Sequence, residues 1–147
     1  MRDMISNQQT VDLTTDTLSG TTPNASSWLD TRGFDAATIE VFTNTVTDAG
    51  TASGFTATLQ ESDTTAAADA TAVAAADAVG GTLTVTVTSD SGDNVLAGKL
   101  GYLGKKRYIR VNYVGTTGTD AIVRTIGRLG RPSRAPTTYI GTAVAAT

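Results

Sequence analysis

Apolar and polar residues alternate with period two along several short stretches of this chain. Leu83, Val85 and Val87 alternate strictly with Thr82, Thr84, Thr86 and Thr88. That is the pattern of a strand with one face on a core and the other in water. Phe55, Ala57 and Leu59 alternate with Thr56, Thr58 and Gln60 in the same way, and residues 38–46 place Ile39 and Val41 on one face and Glu40 on the other. Residues 108–114 set Ile109, Val111 and Tyr113 against Tyr108, Arg110 and Asn112. A β-branched run over residues 121–126 is predicted to end before Gly127, and residues 9–13 and 95–102 are weaker strands. Gly-, Asp-, Asn- and Ser-rich turn signals separate these runs, including Gly80-Gly81, Ser91-Gly92-Asp93-Asn94, Gly104 and residues 115–118. Short strands joined by turns, with no helical pattern between them, predict an all-β fold. The expected form is a single antiparallel β-sandwich or barrel domain over residues 1–130.

Three segments break the pattern. Residues 14–37 are rich in Thr, Ser, Gly and Asp and read as a loop-rich N-terminal part of the domain, carrying the single tryptophan, Trp28. Residues 66–79 have strong helix propensity because of their alanines. Yet Ala75, Ala76 and Val79 offer little volume for packing, and a short exposed alanine helix is marginal in water. The segment therefore reads as a surface excursion with one helical turn near Ala75–Val79, stopped by Gly80 and Gly81. From Arg131 onward Pro132 and Pro136 extend the backbone, so residues 131–147 are expected to form an extended C-terminal arm. It is anchored by Tyr139 and Ile140, with Arg131 and Arg134 pairing to acids of the first half.

Composition narrows the chemistry. The 147 residues include 29 Thr and 21 Ala but no Cys and no His. Disulfides, thiol nucleophiles, imidazole metal ligands and a Ser-His-Asp triad are thereby excluded. The first six residues lack an apolar signal-peptide core, and no apolar run approaches the ~20 residues that span a bilayer. Charge is segregated: 13 of the 14 acids lie in residues 1–98 with only Arg2 and Arg32, whereas nine bases face Asp120 alone from residue 99 on. A basic half could bind nucleic acid. The overall charge of −3 favours the simpler reading that the two halves neutralise each other within one domain or across a subunit interface.

Apparent catalytic patterns do not survive their context. Tyr102 and Lys106 have the Y-x-x-x-K spacing of short-chain dehydrogenases, but flanking glycines and β-branched residues predict strands and a turn where that chemistry needs a helix. Gly98, Gly101 and Gly104 lack the strand-to-helix setting of a phosphate cradle and suit turns and a bulge. Asp90, Asp93 and Asn94 lack the distal Glu of a calcium loop and suit a hairpin turn. The carboxylate pairs Glu61/Asp63 and Asp30/Asp35 have few aromatics around them to stack a sugar. No enzyme, cofactor or metal site is expected. Trp28 is either core filling under a loop or an interface anchor.

Residues 30–40 (DTRGFDAATIE), 59–63 (LQESD), 101–111 (GYLGKKRYIRV), 115–119 (GTTGT) and 129–132 (LGRP) together resemble the capsid cement, or decoration, proteins of tailed bacteriophages. The resemblance spans most of residues 28–136. It implies a β-sandwich or jelly-roll-like trimer that attaches to the capsid exterior around three-fold and quasi-three-fold axes. The implied partners are the major capsid protein and further copies of this chain, with no nucleic acid and no membrane. It carries no catalytic residue. Expected contact residues are Trp28, Lys105, Lys106, Arg107, Arg131, Arg134, Tyr139 and Ile140. The alternatives are a tail or baseplate accessory domain, a carbohydrate-binding sandwich, and, resting on the basic half alone, a DNA-condensing head protein.

Overall fold

The computed structural model describes residues 7–48, 54–81, 84–88 and 95–133. Ten antiparallel strands follow one another along them. The first five are β1 (Gln8–Ser19), β2 (Asn24–Ala25), β3 (Leu29–Asp30), β4 (Phe34–Asp48) and β5 (Phe55–Ser62). The rest are β6 (Thr71–Ala72), β7 (Thr84–Val87), β8 (Val95–Tyr102), β9 (Tyr108–Gly115) and β10 (Thr119–Pro132). One sheet has the order β1-β10-β4-β8; the other pairs β9 with β5, with β2 and β3 on the far side of β9 and β6 and β7 on the far side of β5. The inward faces of both sheets meet in one apolar core, which makes the fold an all-β sandwich. No helix among the described residues is long and apolar enough to cross a membrane.

The alternation read from the sequence is the alternation of burial. Ile39, Val41, Leu100 and Val123 of the first sheet are fully buried, as are Ala57, Leu59, Ile109, Val111 and Tyr113 of the second. Val85 is buried and Val87 half-buried, whereas Thr84 and Thr86 are exposed; Thr82 and Leu83 lie outside the described residues. Tyr113 stacks edge-on against Phe55 with ring centroids 5.9 Å apart, and its hydroxyl bonds Thr125 Oγ1. Burial pushes this phenol up to about 12, so the hydroxyl stays protonated as a core hydrogen-bonding group.

Three expectations are corrected. Residues 14–19 are strand, continuing β1 past a bulge at Leu13, because Leu13 and Leu18 both reach the core. Strand β10 does not stop before Gly127. It runs through Gly127 and Gly130 to Pro132, which pairs with Phe34. Gly127 faces inward beneath Leu29, and a Cβ there would lie 2.8 Å from Leu29 Cδ2, so the glycine makes room for a core side chain. The third concerns the start of the arm: residues 131–133 still belong to the sandwich edge, where the Ser133 N–H donates to Gly33 O at 2.8 Å. Residues 134–147 lie outside the described residues. Residues 66–81 form three short 3-10 turns, Ala67–Asp69, Ala75–Asp77 and Val79–Gly81, with Val73 and Ala78 alone buried.

Candidate interaction surfaces

Strand starts and ends bring distant parts of the chain together at one end of the sandwich. The loop after β3, the turn between β8 and β9 and the last residues of β10 all meet there. Thr31 ties the first two together: its N–H and its Oγ1 each donate to Arg107 O at 2.9 Å. Arg107 embraces Asp30 with Nε at 3.1 Å from Oδ1 and Nη2 at 2.7 Å from Oδ2. The hydrogen bond from Arg107 is the main cause that holds the Asp30 carboxyl below its ordinary value. Lys106 Nζ pairs with Asp63, and Lys105 is exposed.

Tyr102 staples the turn between β8 and β9. Its hydroxyl donates to Glu61 Oε2 at 2.6 Å and accepts the Lys106 N–H at 2.8 Å. Burial, followed by the bond to Glu61, pushes this phenol well above its ordinary value. A dehydrogenase tyrosine needs the opposite shift, and here Lys106 Nζ is engaged by Asp63. The carboxylates Asp30, Glu61 and Asp63 are thus committed to structural contacts. Among the described residues no cluster of three or more Asp or Glu could hold a metal ion. Asp90, Asp93 and Asn94 lie outside the described residues.

Trp28 sits half-buried near the outer face of the second sheet, so it does not fill the core. Its Nε1–H donates to Thr65 O at 2.9 Å, and its ring meets Tyr108 edge-on at 6.4 Å. The Arg110 guanidinium lies 4.4 Å above the indole, and Arg107 lies 4.7 Å from the centre of the Tyr108 ring. Arg110 Nε also donates to Gln60 Oε1 at 2.9 Å. The result is a platform of two aromatics and two guanidiniums. Only one of those guanidiniums, Arg107, has a carboxylate partner among the described residues.

The outer face of the first sheet carries a second feature. Glu40 is almost fully buried between Lys99 Nζ at 3.0 Å and Arg128 Nε at 2.8 Å. Lys99 is its direct cross-strand neighbour, while Arg128 lies opposite Thr38, two residues away on the same face. Burial pushes the Glu40 carboxyl up, but the bonds from Arg128 and Lys99 outweigh it and the net shift is downward. A shallow groove beside this triad is lined by Ala36, Thr38, Leu129 and Arg131 among others.

Of the residues singled out in the sequence, Lys106 and Arg107 come together with the acids that hold them, and Trp28 is held by Thr65, Tyr108 and Arg110. Arg131 is exposed at the end of β10 with φ +54° and makes no ion pair among the described residues; Asp3, Asp90 and Asp93, acids of the first half, lie outside them. Arg134, Tyr139 and Ile140 lie outside the described residues. Tyr108, Arg110, Gln60 and the Glu40 triad were not singled out. The alternation did place Arg110 outward and Glu40 opposite Ile39, but nothing local marks what crosses to meet them.

No family model matches the chain, and no curated protein matches it. Among solved structures, the PBSX exported protein XepA is similar at 15% identity and a TM-score of 0.47, over 95% of this chain and 43% of that one. This chain therefore spans less than half the length of that protein, and a likeness this loose assigns neither a function nor a partner.

Proposed function

We propose that this chain is a non-enzymatic structural protein of a tailed-phage virion, bound to the outside of the icosahedral capsid as trimers at three-fold and quasi-three-fold axes. One observation carries the reading. Of the five segments that resemble capsid cement proteins, four converge on one end of the sandwich. Residues 30–40, 59–63, 101–111 and 129–132 are cross-linked there by the Arg107–Asp30 and Lys106–Asp63 pairs, the Tyr102–Glu61 bond and the pairing of β10 with β4. The fifth, residues 115–119, turns the chain between β9 and β10 at the opposite end, where Thr119 Oγ1 accepts the Thr116 N–H at 2.7 Å. Motifs scattered in sequence but joined in space behave as a built surface.

The physical role follows from mass action. A protein that binds the assembled shell but not its separated subunits favours the shell by its binding free energy. Three linked contacts per trimer supply avidity without one tight contact. A rigid, thiol-free sandwich suits that task. The partners are the major capsid protein and other copies of this chain, with no cofactor, nucleic acid or membrane. The test is co-sedimentation of the purified protein with expanded capsids that lack it. Saturable pelleting, with greater resistance of the shells to heat, is expected. Protein that stays in the supernatant, or binds glycans or isolated tails instead, would overturn the proposal.

A further inference from the structure

Arg110 is a cation held in place without a counter-ion among the described residues. The indole of Trp28 lies beneath its guanidinium and Gln60 accepts from its Nε, so two contacts fix the fork. Its two terminal nitrogens have no hydrogen-bond partner and it makes no ion pair among the described residues. Partial burial lowers its pKa, the shift of a charge deprived of water without a compensating acid. The neighbouring outward side chains on β5 and β9 are Thr56, Thr58, Asn112 and Val114, so these strands offer no carboxylate on that face. Asp30, which lies beside the platform, is taken by Arg107.

A planar, pre-positioned guanidinium on an aromatic base is well shaped for a carboxylate from another molecule. Trp, Tyr and Arg are also the side chains that dominate the energetics of protein interfaces. The chain itself carries the complementary charge. Asp35, Asp69 and Asp120 are exposed and make no ion pair among the described residues, and the molecule is acidic overall at −3.

We infer that the outer face of the second sheet around Trp28, Gln60, Tyr108 and Arg110 is a self-association surface, where Arg110 receives an exposed carboxylate of a second copy of this chain. The contact is heterologous, platform to acid, so it closes into a ring or propagates. It deepens the trimeric reading above. Self-association and capsid pelleting are separate measurements, so either can fail without the other.

Trp28 is the sole tryptophan, and its emission therefore reports on this face alone. The experiment is sedimentation velocity with parallel Trp28 fluorescence over a dilution series of the full chain. The wild type should associate with a concentration-dependent change in Trp28 emission. Arg110→Glu should weaken self-association by about 30-fold or more, the effect of an interface hot spot. Arg110→Gln, at an outward position and without charge reversal, provides a second variant should Arg110→Glu fail to fold. A wild type that stays monomeric would overturn the inference, as would variants that associate as well as it does. A monomer whose capsid binding depends on Arg110 would also overturn it, by giving this face to another protein. Trp28 quenching by oligosaccharides without association would do the same in favour of a sugar.

Discussion

Tyr102 lies across Gly104 so closely that a Cβ added at residue 104 would sit 2.5 Å from Tyr102 Cζ. The glycine is there for space and not for an unusual φ. Gly104→Ala should push the ring off its bonds to Glu61 and Lys106 and destabilise the protein by about 1–3 kcal/mol. Thermal melts of the two proteins measure it, and an unchanged Tm would show that the turn yields freely. Glu40 supports a second prediction. Its folded-state pKa lies below the ordinary value of 4.5, so the ionised form is favoured in the native protein. The stability it contributes is fully present above pH ~4.5 and lost as pH falls through the depressed value; Asp30 shifts the same way. Glu40→Gln should cost about 1–2 kcal/mol at pH 7, a modest figure because Lys99 and Arg128 remain partly exposed. It should also lose less stability than the wild type between pH 7 and pH ~3. Urea midpoints at both pH values test this, and identical acid slopes would mean that Glu40 is not a linked group.

Strand β10 shows what an element can hide in its sequence. The run after Ile126 reads as a break because Gly127 and Gly130 are poor strand residues. Leu29, from the short strand β3, occupies the space a side chain at 127 would need, so a tertiary contact overrides the local signal. The same holds for Gly98, where a Cβ would meet Val85 Cγ2 at 2.5 Å across the sandwich. Gly127→Val should therefore destabilise by about 1–3 kcal/mol through overpacking. Combining it with Leu29→Ala should recover part of the loss in a double-mutant cycle; strictly additive losses would show that the two positions do not compete for one space. Strands with a clean period of two, such as Phe55–Ser62 and Tyr108–Gly115, were legible without any such contact. The candidate surface was legible only in part. A tryptophan and three adjacent bases stand out on their own, whereas Arg110 and Gln60 look like any solvated strand face until the register of β5 with β9 sets them side by side.

Across the whole molecule, charge acts as a fold-level device. All five ion pairs among the described residues join a base from residue 99 onward to an acid from residues 1–98. Five of the nine bases from residue 99 onward, Lys99, Lys106, Arg107, Arg124 and Arg128, are thus neutralised inside one sandwich. What remains for the outside are the platform at Trp28 and Arg110, uncommitted acids and the converged motif end. A capsid-decorating role uses such features as contacts, with steering by complementary charge. A cryo-EM map of tailed-phage particles prepared with this chain present measures that proposed role most directly. The account predicts three-lobed density of this sandwich on the outside of the shell at the three-fold and quasi-three-fold axes. Density for the chain in the tail or baseplate, or a shell with those positions bare while the chain is present in the preparation, would contradict it.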